Sequence, residues 1–250
     1  MTLIEAFRIR RGDLVALVGA GGKTSTMYAL AREAKNSGFR VVLTTTTRIY
    51  LPRGVNAPGV LLEDSPGIVD RVREQLRGSF VVLAGSGLTA EKKILGIDKG
   101  LVGRFLEAGA DLVVAEADGA AGMPFKAPRE GEPVIPPDTT LVIPVVGIDC
   151  LGRPLSGGCI HRPEMVASLT GTVIGGTVTA GTVAGVFLSP VGYRKDVPDG
   201  SRWEPFINKV ESAVELRAAM ELAGLLVKGG ADRVVIGSAL SGEPVREVVE

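Results

Sequence analysis

The sequence is short of the residues on which several functional classes depend. Its 250 residues include two cysteines, one histidine and one tryptophan, and aromatic residues make up only 4 %. Two cysteines cannot build a disulfide framework, and so few aromatic side chains offer little surface for stacking single-stranded nucleic acid. Acidic and basic residues number 28 each, so the formal net charge is zero. This balance argues against a general nucleic-acid or membrane-surface binder.

Long apolar runs and targeting signals are also missing. No segment approaches the roughly 20 consecutive apolar residues of a membrane span. The first residues, Met1 to Phe7, lack the basic and apolar regions of a secretory signal. We therefore expect a cytoplasmic protein that contacts neither membrane nor nucleic acid.

Short apolar runs alternate with helical stretches along the chain. Continuous apolar strands separated by helices are typical of a parallel sheet that is covered on both faces. We therefore predict one α/β domain over residues 1–250, a three-layer P-loop NTPase-like fold with about seven mostly parallel strands flanked by helices. The predicted strands are residues 14–18, 40–44, 79–84, 111–115, 140–146, 205–208 and 232–237, and the predicted helices are residues 24–36, 66–77, 99–108 and 211–228.

Three features interrupt this pattern. Pro144 lies inside the fifth apolar run, which suggests an edge strand or a bulge, because proline cannot donate to a strand ladder. Residues 171–185 have no readable period. Residues 119–139 contain five prolines and follow the fourth strand, which predicts a long loop over the active site.

A glycine-rich segment, Gly19-Ala-Gly-Gly-Lys-Thr-Ser25, follows the first strand and opens the first helix. Glycines let backbone amides wrap a phosphate, Lys23 reaches the β- and γ-phosphates, and the Thr24 hydroxyl binds Mg²⁺. The segment is two residues shorter than the usual P-loop, as in the Mur ligases. The nucleotide contacts predicted here are Gly19, Ala20, Gly21, Gly22, Lys23, Thr24 and Ser25.

Two strand ends provide partners for this loop. Residues 44–47 are four threonines at the end of the second strand, and Glu116 and Asp118 follow the fourth. Ligands bind at the carboxyl ends of strands in such sheets, and an acidic residue there holds Mg²⁺ or orients the attacking nucleophile. The threonines are equally well explained as good strand formers. We predict Thr24, Thr45, Glu116 and Asp118 as metal ligands, and Lys23, Glu116 and Asp118 as catalytic residues.

Two late segments bear on the choice of base. Asn208-Lys-Val-Glu211 ends a strand, and an Asn-Lys-x-Asp motif at such a position binds guanine in GTPases. Ser238-Ala-Leu240, after the next strand, resembles the GTPase segment whose backbone N–H meets guanine O6. Expected cofactors are Mg²⁺ with ATP or GTP. The predicted contacts are Asn208, Lys209, Glu211, Ser238 and Ala239.

Candidate substrate residues lie outside the phosphate site. The proline-rich loop carries Lys126, Arg129 and Glu132, which suit a lid over an anionic substrate, although a rigid polar surface loop explains them too. His161 and Arg162 are adjacent and suggest a pair of cationic donors for an anion.

Several segments together resemble the YqeC family, the accessory proteins of selenium-dependent molybdenum hydroxylases. The segment Lys126–Pro136 is the most specific, because general P-loop chemistry does not require it. The chain departs from the family pattern at Gly131, where the family has histidine, and at Glu211, where aspartate is common. The resembling segments are residues 19–24, 44–47, 116–119, 126–128, 132–136, 161–164 and 208–209.

The resemblance implies a P-loop NTPase that serves the maturation of a selenium-dependent molybdenum hydroxylase. Its expected protein partner is such a hydroxylase or another maturation protein. A switch-like NTPase that delivers a cofactor is one mechanism, and a Mur-ligase-like or kinase-like enzyme that activates a small molecule with ATP is the alternative. A third class is a nucleotide-binding module without catalysis. Base rates alone make a homodimer plausible.

Overall fold

The structure is a computed structural model that describes residues 1–52 and 58–250. Its strands are β1 (Asp13–Gly19), β2 (Val41–Thr45), β3 (Arg48–Tyr50), β4 (Gly59–Leu62), β5 (Val81–Gly85), β6 (Gly87–Leu88), β7 (Lys93–Leu95), β8 (Leu112–Glu116), β9 (Leu141–Gly147), β10 (Arg202–Trp203), β11 (Phe206–Asn208), β12 (Val234–Gly237) and β13 (Val245–Val249). Its helices are α1 (Leu3–Ala6), α2 (Lys23–Asn36), α3 (Ile68–Gln75), α4 (Lys99–Val102), α5 (Arg104–Glu107), α6 (Pro163–Thr170), α7 (Ala180–Leu188) and α8 (Ala213–Lys228), and a 3₁₀ turn covers Ile148–Cys150.

A large, mostly parallel sheet organises the described part of the chain. Its order is β13-β12-β11-β9-β1-β8-β2-β5-β4, with β10 also pairing with β9, and only β12 and β13 run antiparallel. Helices flank this sheet, so the predicted three-layer α/β class is confirmed. All seven predicted strands are present, as β1, β2, β5, β8, β9, β11 and β12.

The large sheet has ten strands rather than about seven among the described residues. The prediction missed the other three because they are short or partly exposed. Strand β10 has two residues, β4 has four, and β13 has a charged pair, Arg246 and Glu247, at its exposed positions. A second, three-stranded sheet has the order β3-β7-β6. We call it the small sheet.

Three of the predicted helices form as expected, as α2, α3 and α8. The fourth, residues 99–108, is divided at Gly103, where a Cβ atom would lie 2.1 Å from Asp138 Oδ2. Residues 171–185, for which no secondary structure was predicted, contain the start of α7. The glycine and β-branched residues of this helix have low helix propensity. A capping box between Thr179 and Thr182 begins this helix, and the burial of its side chains stabilises it.

Within residues 1–52 and 58–250, no helix has both the length and the apolar character that crossing a membrane requires.

Apolar packing covers both faces of the large sheet. Along β1, Val15 and Leu17 belong to the cluster that contains the buried face of α2. Ala16 and Val18 alternate with them and belong to the cluster that contains α7 and α8. Because side chains of a strand alternate between faces, this central strand is apolar throughout.

Pro144 does not lie in an edge strand, so that interpretation of the proline is wrong. Strand β9 is central and pairs with β1 on one side, with Val18 opposite Pro144. On the other side, β10 pairs with Leu141 and Val142, and β11 begins pairing at Val145. Pro144 therefore lies where one partner strand ends and the next begins, so its missing N–H interrupts no continuous ladder.

The strand order determines where the candidate site forms. Strand β1 lies between β8 and β9, and Glu116 is in register with Leu17, while Gly19 is in register with Val145. The carboxyl ends of the three strands therefore meet at one edge, below the start of α2. This edge is where open α/β sheets bind their ligands.

Candidate functional site

The glycine-rich loop, residues 19–22, turns the chain from β1 into α2. Gly19, Gly21 and Gly22 have φ angles of 93°, 80° and 126°, which L side chains rarely adopt. At Gly21, a Cβ atom would lie 2.0 Å from Gly147 N and 2.6 Å from Pro124 O. Because both neighbours are backbone atoms, only glycine fits at this position.

Only part of the loop offers free amides for an anion. The N–H of Gly19 donates to Asp118 Oδ2 at 3.0 Å, that of Ala20 to Val145 O at 2.9 Å, and that of Gly21 to Met123 O at 3.0 Å. In this structure the amides of Gly19, Ala20 and Gly21 shape the loop, and their contacts with phosphate stay a prediction. The N–H groups of Gly22 to Ser25 lie at the first turn of α2, which leaves its amides without helical partners.

Lys23 is held by carboxylates in this structure. Its Nζ atom lies 3.0 Å from Asp118 Oδ1 and 3.7 Å from Glu116 Oε1, and it donates to Gly19 O at 2.6 Å. The side chain is 3 % exposed. Burial lowers the pKa of Lys23, but the two carboxylates outweigh this effect and raise the pKa above its ordinary value. The ammonium group is therefore charged and already paired.

Glu116 and Thr24 meet at the loop. The Thr24 hydroxyl donates to Glu116 Oε2 at 2.7 Å. Burial raises the pKa of Glu116, although Lys23 and Thr24 oppose this shift. Thr45, predicted as a metal ligand, is instead fully buried, and its hydroxyl donates to the backbone oxygen of Glu116 at 2.9 Å. That prediction is corrected: Thr45 ties β2 to β8, and Thr46 and Thr47 line the cavity in its place.

Asp118 is fully buried and surrounded by donors from the protein itself. Besides the Gly19 amide and Lys23, its carboxylate contacts Lys126 Nζ at 3.0 Å and accepts from Tyr193 Oη at 3.2 Å. It does not line the cavity. In this structure Asp118 therefore positions Lys23 and Lys126, and its predicted role in metal binding or catalysis stays a prediction. Tyr193 was missed because no motif in its segment singles it out.

Lys126 is a buried cross-link rather than the predicted substrate contact. Its Nζ atom pairs with Asp118 and, at 2.8 Å, with Glu132 Oε2, and it donates to Gly119 O at 2.6 Å. Its side chain is completely buried and does not line the cavity. Lys126 therefore joins the proline-rich loop to Asp118 and, through it, to Lys23.

Glu132 binds three cations and lines the cavity. Arg162 contacts it with both terminal nitrogens, at 2.7 and 3.2 Å, and Arg129 Nε lies 3.1 Å away. Burial raises the pKa of Glu132, but Arg162 and Lys126 outweigh this effect and lower it to about 2. The carboxylate is therefore ionised throughout the physiological range.

His161 differs from its predicted charge. Burial, Arg162 and Lys126 together lower the pKa of the imidazole below its ordinary value of 6.5. This shift favours the neutral ring at neutral pH, whereas the pairing of His161 and Arg162 as donors to an anion stays a prediction. His161 still lines the cavity and is able to donate or accept a hydrogen bond.

One cavity of about 1030 Å³ connects these groups with the small sheet. We call the part around residues 21–25 and Glu116 the loop end, and the part around β3 and β7 the sheet end. Among the candidate substrate residues, Arg129, Glu132, His161 and Arg162 line it.

The late segment contacts the glycine-rich loop through Asn208. Its Nδ2 atom donates to Gly21 O at 2.8 Å, and its Oδ1 atom accepts from the amide of Ala239 at 2.9 Å. Because the Ala239 amide is already used, the predicted contact of that residue with a base is corrected. Lys209, with a left-handed φ of 65°, lines the cavity and pairs with Asp149 Oδ2 at 3.1 Å.

A second cavity of about 500 Å³ lies beside this segment. Glu211 lines it and accepts from the Ser238 hydroxyl at 3.0 Å. Leu240 lines it as well, with 80 % of the residue exposed. Asn208 therefore links the cavity at the loop to a smaller one that contains a carboxylate.

The mostly parallel α/β sheet, the glycine-rich turn between β1 and α2 and the carboxylate on the adjacent strand define a protein with a P-loop-like fold. The family model described as "YqeC protein" matches residues 15–164. An Escherichia coli (strain K12) protein named "Uncharacterized protein YqeC" is 31 % identical over 229 residues, which cover 91 % of this chain and 88 % of that protein. The chain belongs to the YqeC family.

Proposed function

We propose that this protein binds a nucleoside triphosphate with Mg²⁺ at the start of α2 and hydrolyses it during the maturation of selenium-dependent molybdenum hydroxylases. The observation that carries the nucleotide part is the loop end itself. Free amides of a helix N-terminus, the Lys23 ammonium group and the Thr24–Glu116 pair converge there within one cavity. Helix N-termini with a nearby cation suit phosphate groups.

The donor set at the loop end fits Mg²⁺. Within the described ranges, no group of three or more His, Cys, Asp or Glu side chains is placed to hold a metal ion. Mg²⁺ requires fewer protein ligands, because phosphate oxygens and waters complete its octahedral shell. The Thr24 hydroxyl and the Glu116 carboxylate, in contact at 2.7 Å, are hard oxygen ligands of this kind. Bound Mg²⁺ would neutralise phosphate charge.

Lys23 would exchange partners when a nucleotide binds. Its Nζ atom now faces Asp118 and Glu116, and phosphate oxygens would compete for it. The Oδ2 atom of Asp118 would keep Lys126, the Gly19 amide and Tyr193, whereas its Oδ1 atom would lose the ion pair with Lys23. Lys23 would then stabilise charge on the transferred phosphoryl group, while Glu116 would hold Mg²⁺ or position the attacking water.

Binding of nucleotides tests this proposal directly. Calorimetry with ATP and with GTP, each with Mg²⁺, is to be run on the wild type and on Lys23→Ala. We expect binding by the wild type and at least a hundredfold weaker binding by the variant. The control is Lys35→Ala, an exposed lysine at the other end of α2. Equal binding by the wild type and Lys23→Ala would refute the site.

The second cavity favours guanine as the base. A carboxylate accepts hydrogen bonds from the N1–H and the 2-amino group of guanine, and Glu211 presents its carboxylate there. Asn208 holds this region against the loop that would carry the phosphates. We expect Glu211→Gln to weaken GTP binding at least tenfold and to leave ATP binding unchanged.

A matched control lies in the same cavity. Glu243 also lines it, so Glu243→Gln removes an equal charge at a similar place. If both variants lose the same GTP affinity, general electrostatics rather than base recognition explains the effect. Preference for ATP in the wild type would discard guanine.

The maturation role rests on the family. A switch that delivers a cofactor turns over slowly alone and faster with its partner. We therefore expect basal hydrolysis to rise when a cofactor-free molybdenum hydroxylase is added. The cavity volume of about 1030 Å³ favours the second candidate, a kinase-like or Mur-ligase-like enzyme, since the lining extends beyond the loop end. Fast hydrolysis that depends on a small molecule and not on the partner would select that candidate.

A further inference from the structure

The sheet end of the large cavity is built differently from the loop end. Strands β3 and β7 pair so that Ile49 lies opposite Ile94 and Tyr50 opposite Lys93. Ile49 and Ile94 are buried, at 3 % and 0 % exposure. Since side chains alternate along a strand, Arg48, Tyr50 and Lys93 belong to the opposite face, and all three line the cavity.

The cations of this face lack carboxylate partners. Neither Arg48 nor Lys93 forms an ion pair with any residue in the described part of the chain. Lys93 Nζ lies 4.9 Å from the centre of the Tyr50 ring. The carboxylate near both cations is that of the exposed Glu91, whose pKa is lowered by Thr89 and further by Lys93 and Arg48, but it forms no ion pair with either. By contrast, Lys23 and Arg162 in the same cavity are paired with carboxylates.

The residues that line the whole cavity also carry an excess of positive charge. Among residues 1–52 and 58–250, its lining includes six lysines or arginines but only two glutamates and no aspartate. A concave surface with one excess sign of charge concentrates ligands of the opposite sign. The excess lies at the sheet end, where Arg48 and Lys93 line the cavity and form no ion pair, although the exposed Glu91 carboxylate lies near both.

The cavity is also larger than one phosphate group requires. Its volume of about 1030 Å³ is at the upper limit of ordinary small-molecule sites, which span roughly 300–1,000 Å³. If the base of a nucleotide occupies the separate cavity beside Glu211, the loop end receives only its phosphates. The sheet end then has room for a second molecule.

We propose that the sheet end binds an oxyanion group, phosphate or carboxylate, of a second small-molecule ligand that is held beside the nucleotide. Arg48 and Lys93 are its primary contacts. This inference rests on the proposed function for the identity of the first ligand, but the sheet-end site stands on its own geometry.

Site-resolved titration tests the proposal. Amide chemical shifts are to be followed while inorganic phosphate, or the tricarboxylate tricarballylate, is added to the full-length protein. We expect saturable shifts around β3 and β7 with at least one probe. Arg48→Ala/Lys93→Ala should weaken that binding at least tenfold and leave shifts at residues 22–25 unchanged. The control double variant Arg73→Ala/Arg77→Ala removes the same charge from the exposed surface of the α3 region.

The outcomes distinguish a phosphate-bearing ligand from a carboxylate-bearing one, and they test the sheet-end site separately from the nucleotide site. Sheet-end shifts with phosphate alone assign a phosphate-bearing ligand, and shifts with tricarballylate alone assign a carboxylate-bearing one. No saturable sheet-end shift with either probe, or equal affinity in the wild type and Arg48→Ala/Lys93→Ala, overturns the inference. If Lys23→Ala binds nucleotide like the wild type while the sheet-end shifts persist, the proposed function fails and the sheet-end site remains.

Discussion

The two ends of the large cavity use positive charge in opposite ways. At the loop end, Lys23 is buried and paired with Asp118 and Glu116. At the sheet end, Arg48 and Lys93 lie on a small sheet and have no carboxylate partner among the described residues. Paired buried charges fix the shape of a site, because losing one partner leaves the other charge buried and uncompensated. Unpaired charges at a cavity wall contribute little to the fold and remain available to a ligand.

This difference predicts that structure and binding separate along the cavity. Substitutions at the loop end should reduce stability and nucleotide affinity together. Substitutions at the sheet end should affect ligand binding alone. The following variants test that division, from the largest expected effect to the smallest.

Lys126→Met should have the largest effect on stability. The change leaves Asp118 and Glu132 buried with one cation fewer, and breaking such a pair costs about 3–5 kcal/mol. Unfolding in urea measures the loss. Lys99→Met, at an exposed position, is the control and should change stability by less than about 0.5 kcal/mol. Equal stability of the two variants would show that the buried network is not structural.

Gly21→Ala should destabilise the protein more than Gly12→Ala. Both glycines have positive φ, at 80° and 92°, so both changes introduce backbone strain of about 1–2 kcal/mol. Only at Gly21 does the new Cβ atom meet backbone, whereas nothing lies within 4 Å at Gly12. Overpacking adds about 1–3 kcal/mol at Gly21. Equal unfolding free energies would contradict the close approach of the loop to Gly147.

Glu132→Gln should lose a pH-dependent stabilisation. The pKa of Glu132 is lowered from 4.5 to about 2, so its contribution is complete above pH 4.5 and disappears as the pH falls through about 2. We expect the difference in unfolding free energy between wild type and variant to shrink by about 1–2 kcal/mol over this range, allowing for solvent screening. Glu74→Gln, an exposed change, should show no such trend. A constant difference for Glu132→Gln would rule out the ion-pair explanation.

Arg48→Ala/Lys93→Ala should leave stability within about 0.5 kcal/mol of the wild type. Neither side chain pairs with a carboxylate of the described chain, so little is lost when both are truncated. Thermal unfolding provides the measurement. A loss of several kcal/mol would show that these cations support the fold, and the contrast between the two ends would disappear.

The strands and the glycine-rich loop follow from local signals. The buried central strands β1, β2, β8 and β9 each contain an apolar run, and β1 leads through glycines directly into α2. The elements that prediction missed have weaker signals, because β10 is only two residues long and α7 has residues of low helix propensity. Their stability comes from neighbouring elements rather than from their own sequence.

The candidate site was predicted less completely than the fold. The residue types and their positions at strand ends correctly predicted that Lys23, Thr24 and Glu116 lie close together. They did not reveal that Asp118 and Lys126 are buried, that Thr45 serves the sheet, or that Tyr193 contacts Asp118. A strand-end carboxylate looks the same in sequence whether it faces a cavity or a buried lysine.

The sequence by itself determined the alternation of apolar strands and helices, the glycine turn and the approximate position of the candidate site, because these depend on neighbours within a few residues. Only the tertiary structure decided which charges are paired. Asp118 meets Tyr193 at 75 positions' separation, and Glu132 meets Arg162 at 30. Whether a charged group binds a ligand or another side chain depends on such distant partners and on burial, which raises the cost of leaving a charge alone.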